Sequence, residues 1–213
     1  MVDAIVLAGD SEGSPAANVI NKALIQIKGK FMVEYIIESL RNASFVDKIV
    51  IVGPKPVREA VIDSVDGALE SGDSIIENVK NALEFINGEN HVIICTCDIP
   101  LVSQEAIDDF VAQCLDKRVD IGYPIIERSL NEGKYPGSKR TYVKMKEGVY
   151  TGGNIVYINP DIFLKCSPLA EGLIKNRKNP IKMGNFLGIW TLIKLSLGLL
   201  SILNVEKKAN SLL

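Results

Sequence analysis

The sequence has little of what nucleophilic and zinc-dependent enzymes require. Its 213 residues include one histidine, His91, and four cysteines. A Ser-His-Asp or Cys-His arrangement needs a histidine beside the nucleophile, and a structural zinc site needs four nitrogen or sulfur ligands. The cysteines are also too few and too scattered for a disulfide scaffold. We therefore expect small buried thiols in a reducing cytoplasm. The four are Cys95, Cys97, Cys114 and Cys166.

An excess of charge of either sign is also absent. Twenty-four basic and 26 acidic residues give a formal net charge of −2. A balance so close to neutral argues against a nucleic-acid partner. Residues 1–9 contain no basic residue before the first glycine, so they do not resemble a signal peptide, and we expect a cytoplasmic protein.

Apolar, β-branched runs alternate with amphipathic stretches along the chain. This order predicts an α/β fold with three layers (α/β/α) and a mostly parallel, mixed sheet, in which ligands bind beyond the carboxyl ends of the strands. Strands are predicted at residues 4–8, 48–52, 91–97, 119–126 and 154–158, and helices at residues 31–40, 57–65, 74–86 and 104–115.

The composition changes near the C-terminus. We expect one main domain over residues 1–180, with a β-excursion near residues 127–152, and an apolar helical segment over residues 181–213. Residues 186–203 hold one charge, Lys194, and their small and polar side chains fall on one helical face. This pattern predicts an amphipathic helix that packs on the domain or at an interface, such as that of a homodimer. A membrane anchor or interfacial helix is the less favoured alternative.

Three features follow the predicted strands, where a ligand is expected. The glycines of residues 9–13 let backbone N–H groups approach a phosphate. Lys22 enters the next apolar run and could neutralise charge on a triphosphate. Asp98 follows a buried strand and precedes Pro100, and carboxylates are natural Mg²⁺ ligands. Taken singly, each has a structural alternative: a turn glycine, a surface lysine and a capping aspartate.

Together these features resemble a known family. The opening, VLAGDSEGS…NKALIQIKGKFMVEYIIESL, resembles that of nucleotidyltransferases with a Rossmann-like, GT-A-like fold. CTCDIPLVS, at residues 95–103, resembles the metal-binding aspartate motif of that family. The likeness extends over residues 3–160 in order and spacing. It points to the molybdenum-cofactor guanylyltransferase-like (MobA-like NTP transferase) and cytidylyltransferase-like branch.

The resemblance implies transfer of a nucleoside monophosphate from an NTP to a small acceptor bearing a phosphate or hydroxyl, with Mg²⁺ as cofactor and release of pyrophosphate. Its guanylyltransferase side implies GTP, although the residues themselves do not select the base. Lys22 and Asp98 would be catalytic, and Asp98 and Asn154 would hold the metal. Arg140, Lys144 and Asn154 would bind the acceptor. The implied nucleotide-binding residues are Leu7, Ala8, Gly9, Gly13, Lys22, Gly72, Ser74 and Asp98.

Three positions depart from the family pattern. Asp10 stands where a further glycine is usual, Ser14-Pro15 where an arginine is usual, and Asn21 where a proline precedes the signature lysine. These departures favour, as an alternative, a catalytically weak binding or regulatory module. A sugar-nucleotide glycosyltransferase on the same fold is a further alternative, but the Asp-x-Asp motif that would favour it is absent at Asp98.

Overall fold

A computed structural model describes residues 1–9, 21–88, 90–176 and 189–211 of the chain. The chain divides into two compact units. The first comprises Met1–Gly122 and Asn154–Asp161, and the second comprises Tyr123–Gly153 and Ile162–Leu213. The domain boundary expected near residue 180 lies outside the described residues, so it stays a prediction.

The first unit is built on a sheet with six strands among the described residues. Its strand order is β5-β4-β1-β6-β11-β7. Strands β5, β4, β1 and β6 are parallel, and β11 runs antiparallel to both β6 and β7. Helices lie on both sides, so the three-layer, mostly parallel mixed sheet is confirmed. The strands of the chain are β1 (Val2–Leu7), β2 (Gln26–Ile27), β3 (Lys30–Phe31), β4 (Val46–Gly53), β5 (Gly67–Glu70), β6 (Val92–Thr96), β7 (Ile121–Gly122), β8 (Ile125–Glu127), β9 (Val143–Lys144), β10 (Val149–Gly152) and β11 (Ile155–Ile158).

Strand β1 is the centre of the core. It pairs with β4 on one side and β6 on the other, and Ala4, Ile5 and Val6 are fully buried. A strand covered by helices on both faces reads as a continuous apolar run rather than an alternating one, as the sequence of β1 does from Ala4 onward. This burial fixes the position of the residues that follow the strand.

The helices begin close to where their capping residues predict. The Ser74 hydroxyl accepts the N–H of Glu77 at 3.1 Å, and the Ser103 hydroxyl accepts that of Ala106 at 3.4 Å. Each hydroxyl satisfies a backbone donor that the first helical turn leaves unpaired. The helices of the first unit are α1 (Met32–Asn42), α2 (Lys55–Val61), α3 (Ile75–Ile86) and α4 (Gln104–Asp116).

The second unit contains a three-stranded antiparallel sheet, β8-β10-β9. The single strand predicted at residues 119–126 is wrong. Strands β7 and β8 share that stretch but belong to different sheets, with Tyr123 and Pro124 between them. Proline cannot donate a hydrogen bond to a ladder, so it marks the break. Helix α5 (Arg128–Lys134) follows β8.

The C-terminal apolar run forms two helices instead of one. Among the described residues, α6 (Pro160–Asn176) is followed by α7 (Ile189–Ser196) and α8 (Ile202–Asn210). Helix α7 ends because Gly198 adopts a φ of +67°, and the N–H of Leu199 donates to the carbonyl of Lys194 at 2.8 Å. Glycine adopts this left-handed conformation without steric cost. The continuous helix predicted at 186–203 is therefore wrong from Leu197 onward, and residues 186–188 lie outside the described ranges. Within those ranges, every helix is too short or too polar to cross a membrane.

Candidate functional site

The carboxyl edge of the main sheet brings several predicted residues to one place. Leu7, at the end of β1, is in register with Thr96 at the end of β6. The carbonyl of Asn154, just before β11, accepts the N–H of Thr96 at 3.2 Å. The residues directly after β1 and β6 and the residue that precedes β11 therefore share one edge of the sheet. This is the edge at which open α/β sheets bind ligands.

Asp98 is at the centre of this edge, and its two carboxylate oxygens have different surroundings. Oδ1 accepts a hydrogen bond from the Thr96 hydroxyl at 2.6 Å and one from Nδ2 of Asn154 at 3.4 Å. Oδ2 lies 4.0 Å from Nζ of Lys22. The structure thus brings together Lys22, Asp98 and Asn154, which the sequence predicted as a group. Thr96 is an addition, because the sequence pattern shows it only as a strand residue.

Lys22 is held at this edge by the residue before it. Lys22 begins a short 3-10 helix, Lys22–Leu24, which Asn21 caps. Oδ1 of Asn21 accepts the N–H of Ala23 at 2.8 Å, and Nδ2 of Asn21 donates to the carbonyl of Ala8 at 3.0 Å. One side chain therefore ties the start of the 3-10 helix to the end of β1. The Lys22 side chain itself is 66% exposed, so its ammonium can move.

The second predicted loop lies before α3 and is stiffened by that helix. The N–H of Gly72 donates to Oδ1 of Asn78 at 2.6 Å, and the N–H of Asp73 donates to Oε2 of Glu77 at 2.8 Å. A Cβ at Gly72 would lie 2.7 Å from the Glu77 carboxylate, so a side chain there would force this carboxylate to move. The Ser74 hydroxyl is engaged as the helix cap. The predicted nucleotide contacts of Gly72 and Ser74 stay predictions.

Gly9 lies next to the loop that precedes α3. A Cβ at Gly9 would lie 3.6 Å from Cβ of Ser71 and 3.9 Å from Nδ2 of Asn78. Asn78 is only 8% exposed, and its oxygen is already bonded to Gly72. Sequence reasoning missed Asn78 as a site residue. The available signal was its polarity, since it lies beside Val79 on the buried stripe of α3.

Asp98 and Asn154 supply the kind of donors that Mg²⁺ takes. Mg²⁺ is usually held by one or two carboxylates together with substrate phosphates and water, rather than by a cage of protein ligands. Across the part of the chain that the structure describes, no three His, Cys, Asp or Glu side chains are grouped so as to hold a metal. With one carboxylate and one amide oxygen, the site would bind a divalent cation weakly by itself, and the phosphates of a nucleotide would complete the ligand set.

The remaining predicted residues have more limited support. Gly13 lies outside the described residues. Leu7 accepts the N–H of Cys97 through its carbonyl, and Ala8 is paired on both backbone groups, with Val52 and Asn21. The nucleotide contacts predicted for Leu7 and Ala8 stay predictions, and Gly9 follows them as an exposed residue.

The predicted acceptor residues Arg140 and Lys144 belong to the second unit and have partners there. Arg140 donates to the carbonyl of Gly152 at 2.7 Å. The stem of Lys144 packs at Gly198, where a Cβ would lie 2.8 Å from Cδ of the lysine. Their role toward an acceptor stays a prediction.

The thiols beside the site are structural in character. Cys95 is fully buried within β6, and its Sγ lies 3.6 Å from the carbonyl of Ile5, to which it donates. Burial raises the pKa of Cys95 to about 12, and the nearby Cys97 adds to the increase. Burial also raises the pKa of Cys114. Protonated, enclosed thiols of this kind are poor nucleophiles and poor metal ligands.

Relatives of known sequence share the part of the chain that carries the site. A 2-C-methyl-D-erythritol 4-phosphate cytidylyltransferase from Clostridium botulinum is 30% identical over 119 residues, which is 52% of this chain and 53% of the relative. The chain spans about half the length of the curated relatives it matches.

Solved structures extend the likeness beyond the site. A hypothetical transferase from Thermus thermophilus is 33% identical, superposes with a TM-score of 0.83, and is matched over 100% of this chain and 88% of its own. A CMP:2-keto-3-deoxy-manno-octonic acid synthetase, solved with CTP, shares the fold at 14% identity, with a TM-score of 0.66 over 87% of this chain and 86% of its own. The family model of the MobA-like NTP transferase domain matches residues 4–153, so this chain belongs to the MobA-like NTP transferase family.

Proposed function

We propose that the chain is a nucleotidyltransferase that transfers a nucleoside monophosphate from an NTP to a small acceptor bearing a phosphate or hydroxyl. The observation that carries this proposal is the grouping of Lys22, Asp98 and Asn154 beyond the ends of β1 and β6, beside Gly9. A lysine, a carboxylate and a glycine at one edge match the needs of a bound triphosphate. Family membership over residues 4–153 supports the same reaction class.

The chemistry is an in-line displacement at the α-phosphorus. An acceptor oxygen forms a bond to this phosphorus, the bond to the β-phosphate oxygen breaks, and pyrophosphate leaves with the bonding electrons. A hydroxyl acceptor loses its proton, and a phosphate acceptor does not need to. The chain's role is positioning and charge stabilisation, which account for most of the catalysis in related phosphoryl transfers.

Each residue of the edge has a role in this reaction. Lys22 would stabilise the charge that builds on the leaving pyrophosphate, since its ammonium is exposed and can reach a bound phosphate. Gly9 would let the backbone approach the phosphates. Asp98 and Asn154 would hold Mg²⁺, which when bound neutralises phosphate charge.

We take CTP as the nucleotide to test first. Three curated relatives are named cytidylyltransferases, and the synthetase of similar fold was solved with CTP. This choice differs from the GTP that the sequence resemblance implied, so both belong in the experiment. We propose that the buried amide of Asn78 helps to recognise the nucleotide, because it accepts the N–H of Gly72 and lies close to Gly9.

A catalytically weak binding module is the second candidate. The observation that favours it comes from the sequence, in which Asp10 directly follows Gly9. Like charges repel, so an aspartate at this point of the sequence would weaken phosphate binding unless a cation offsets its charge. The two candidates differ in turnover rather than in fold.

Calorimetric titration with CTP, GTP, ATP and UTP, each with and without Mg²⁺, tests the proposal. We expect one nucleotide to bind in a Mg²⁺-dependent manner, and we expect Asp98→Asn and Lys22→Ala to weaken that binding. Asp109→Asn and Lys55→Ala are matched controls, because Asp109 is an exposed helical aspartate and Lys55 pairs with Glu59 one turn along α2. Failure of the folded wild-type protein to bind any of the four would overturn the proposal.

Pyrophosphate release then separates the two candidate functions. The protein is incubated with the nucleotide that binds and with a panel of sugar, polyol and pterin phosphates. Release with one acceptor, lost in Asp98→Asn, supports the transferase. Binding without release from any member of the panel favours the binding module.

A further inference from the structure

We infer that Lys22 is the resting counter-ion of Asp98 and opposes the binding of a divalent cation until a nucleotide draws the lysine away. This inference rests on the proposed function, because it assigns an order to events at the same site. It concerns the nucleotide-free protein, which the proposed reaction does not describe. It makes Lys22 a determinant of metal binding as well as of phosphate binding.

The two oxygens of the Asp98 carboxylate have different partners. Oδ1 accepts hydrogen bonds from Thr96 and Asn154, which hold the plane of the carboxylate. Oδ2 is left as the oxygen that faces a cation, and the cation at 4.0 Å is the Lys22 ammonium. A divalent ion that approaches Oδ2 therefore meets a positive charge already in place.

The ion pair between Lys22 and Asp98 is exposed to solvent. Asp98 is 36% exposed and Lys22 is 66% exposed, so water screens the pair and keeps it weak. A weak pair can be broken by a competing partner with more negative charge, and an NTP carries about four negative charges on its phosphates, far more than one carboxylate. Movement of Lys22 to the phosphates would release Oδ2 at the moment when phosphate oxygens arrive to complete the ligand set.

Coupling between metal binding and nucleotide binding is reciprocal. If nucleotide binding removes an obstacle to the metal, metal binding must favour the nucleotide by the same factor. Part of this coupling would pass through Lys22. Removal of the lysine would then have opposite effects on two ligands: tighter binding of the metal alone and weaker binding of the nucleotide.

Binding of Mn²⁺ to the nucleotide-free protein is the direct test, with free Mn²⁺ measured by electron paramagnetic resonance. We expect Lys22→Ala and Lys22→Gln to bind Mn²⁺ about two- to fivefold more tightly than wild type at low salt, the range that an exposed ion pair accounts for. We expect the difference to vanish at high ionic strength, where exposed charges are screened. When Asp98→Asn is introduced into the wild type and into each Lys22 variant, the difference in Mn²⁺ affinity between them should disappear.

Lys55→Ala is the matched control for net charge. Lys55 begins α2 just after β4, so it lies near the same edge of the sheet, but it pairs with Glu59. Equal tightening in Lys55→Ala and Lys22→Ala would mean a general charge effect and would overturn the inference. Unchanged or weaker Mn²⁺ binding in Lys22→Ala, or no Mn²⁺ binding in any variant, would overturn it as well.

The same titrations distinguish failure of this inference from failure of the proposed function. If nucleotides bind the wild type but Mn²⁺ affinity does not respond to Lys22, the function stands and the inference fails. If no nucleotide binds the wild type while Lys22→Ala still tightens Mn²⁺, the ion-pair competition stands and the proposed function fails.

Discussion

Nδ2 of Asn21 donates a hydrogen bond to the carbonyl of Ala8 at 3.0 Å, which joins the start of the Lys22 3-10 helix to the end of β1. The oxygen of the same amide caps that helix through Ala23. The family resemblance of the sequence implies a proline at this position, and this chain has Asn21 instead. Proline would pre-set the backbone here, whereas asparagine holds it through two side-chain hydrogen bonds. The position of Lys22 therefore depends on an amide in this chain.

Asn21→Ala should weaken both the fold and the site. Loss of a helix cap costs about 1 kcal/mol of unfolding free energy, and urea denaturation measures it. Nucleotide affinity should fall about three- to tenfold, because Lys22 is no longer held against the end of β1. Asn21→Asp keeps the acceptor for Ala23 but lacks the donor to Ala8, so it should recover stability more than affinity. Equal recovery of both would contradict this division of roles.

Thr96→Val should weaken Mg²⁺-dependent nucleotide binding with little change in fold. The hydroxyl of Thr96 donates to Oδ1 of Asp98 at 2.6 Å, and valine matches the shape of threonine without this donor. The loss of one hydrogen bond to a carboxylate predicts a fall in affinity of about tenfold. Calorimetry in the presence of Mg²⁺ measures it.

Thr96→Ser is the informative partner of that variant, since it keeps the hydroxyl and removes only a methyl group. Serine should bind nucleotide as the wild type does. If serine and valine are equally weakened, packing of the methyl group rather than orientation of Asp98 explains the effect.

The sequence predicts the central fold well because its strands are covered on both faces. The runs Ala4–Ala8 and Val92–Cys95 are apolar and are followed closely by glycine or aspartate, so both the strands and the residues of the carboxyl edge can be read from the pattern. Strand β5 is different. It is a four-residue edge strand without a long apolar run, and no strand was predicted at Gly67–Glu70.

Errors arose where a tertiary contact or one backbone angle decides the outcome. The apolar run at the C-terminus predicted one helix, but the positive φ of Gly198 ends α7. A glycine inside a helical pattern is compatible with either outcome, so periodicity alone does not reveal the break. Asn78 and Thr96 were missed for another reason: their partners, Gly72 and Asp98, are visible only once hydrogen bonds are known.

Gly72→Ala should impair nucleotide binding through Glu77. The new methyl group would lie 2.7 Å from the Glu77 carboxylate, which receives the N–H of Asp73. The carboxylate must move, so the loop before α3 loses one of its two ties to the helix. We expect nucleotide affinity to fall about three- to tenfold while unfolding free energy changes by less than about 1 kcal/mol.

The double variant Gly72→Ala with Glu77→Ala identifies the cause. Removal of the Glu77 side chain relieves the clash but also removes the bond to Asp73. The double variant should therefore bind nucleotide as Glu77→Ala does alone, with no further loss. An additional loss in the double variant would mean that the methyl group itself blocks the nucleotide.

The buried thiol of Cys95 should make the protein less stable in alkali. Burial raises the pKa of Cys95 to about 12, from an ordinary value of 9.0 in the unfolded chain. Between these values the unfolded state releases a proton that the folded state keeps, so stability is full below pH 9 and declines as pH rises toward 12. From pH 9 to pH 10 one such group lowers the unfolding free energy by about 1 kcal/mol.

Urea unfolding under reducing conditions at pH 7, 9 and 10 measures the slope. Cys95→Ala should reduce the slope without removing it, because burial also raises the pKa values of Cys114 and Tyr157. Cys166→Ala, which changes a less buried thiol, should leave the slope as in the wild type. Equal slopes in all three proteins would show that Cys95 ionises as freely in the folded state as in the unfolded one.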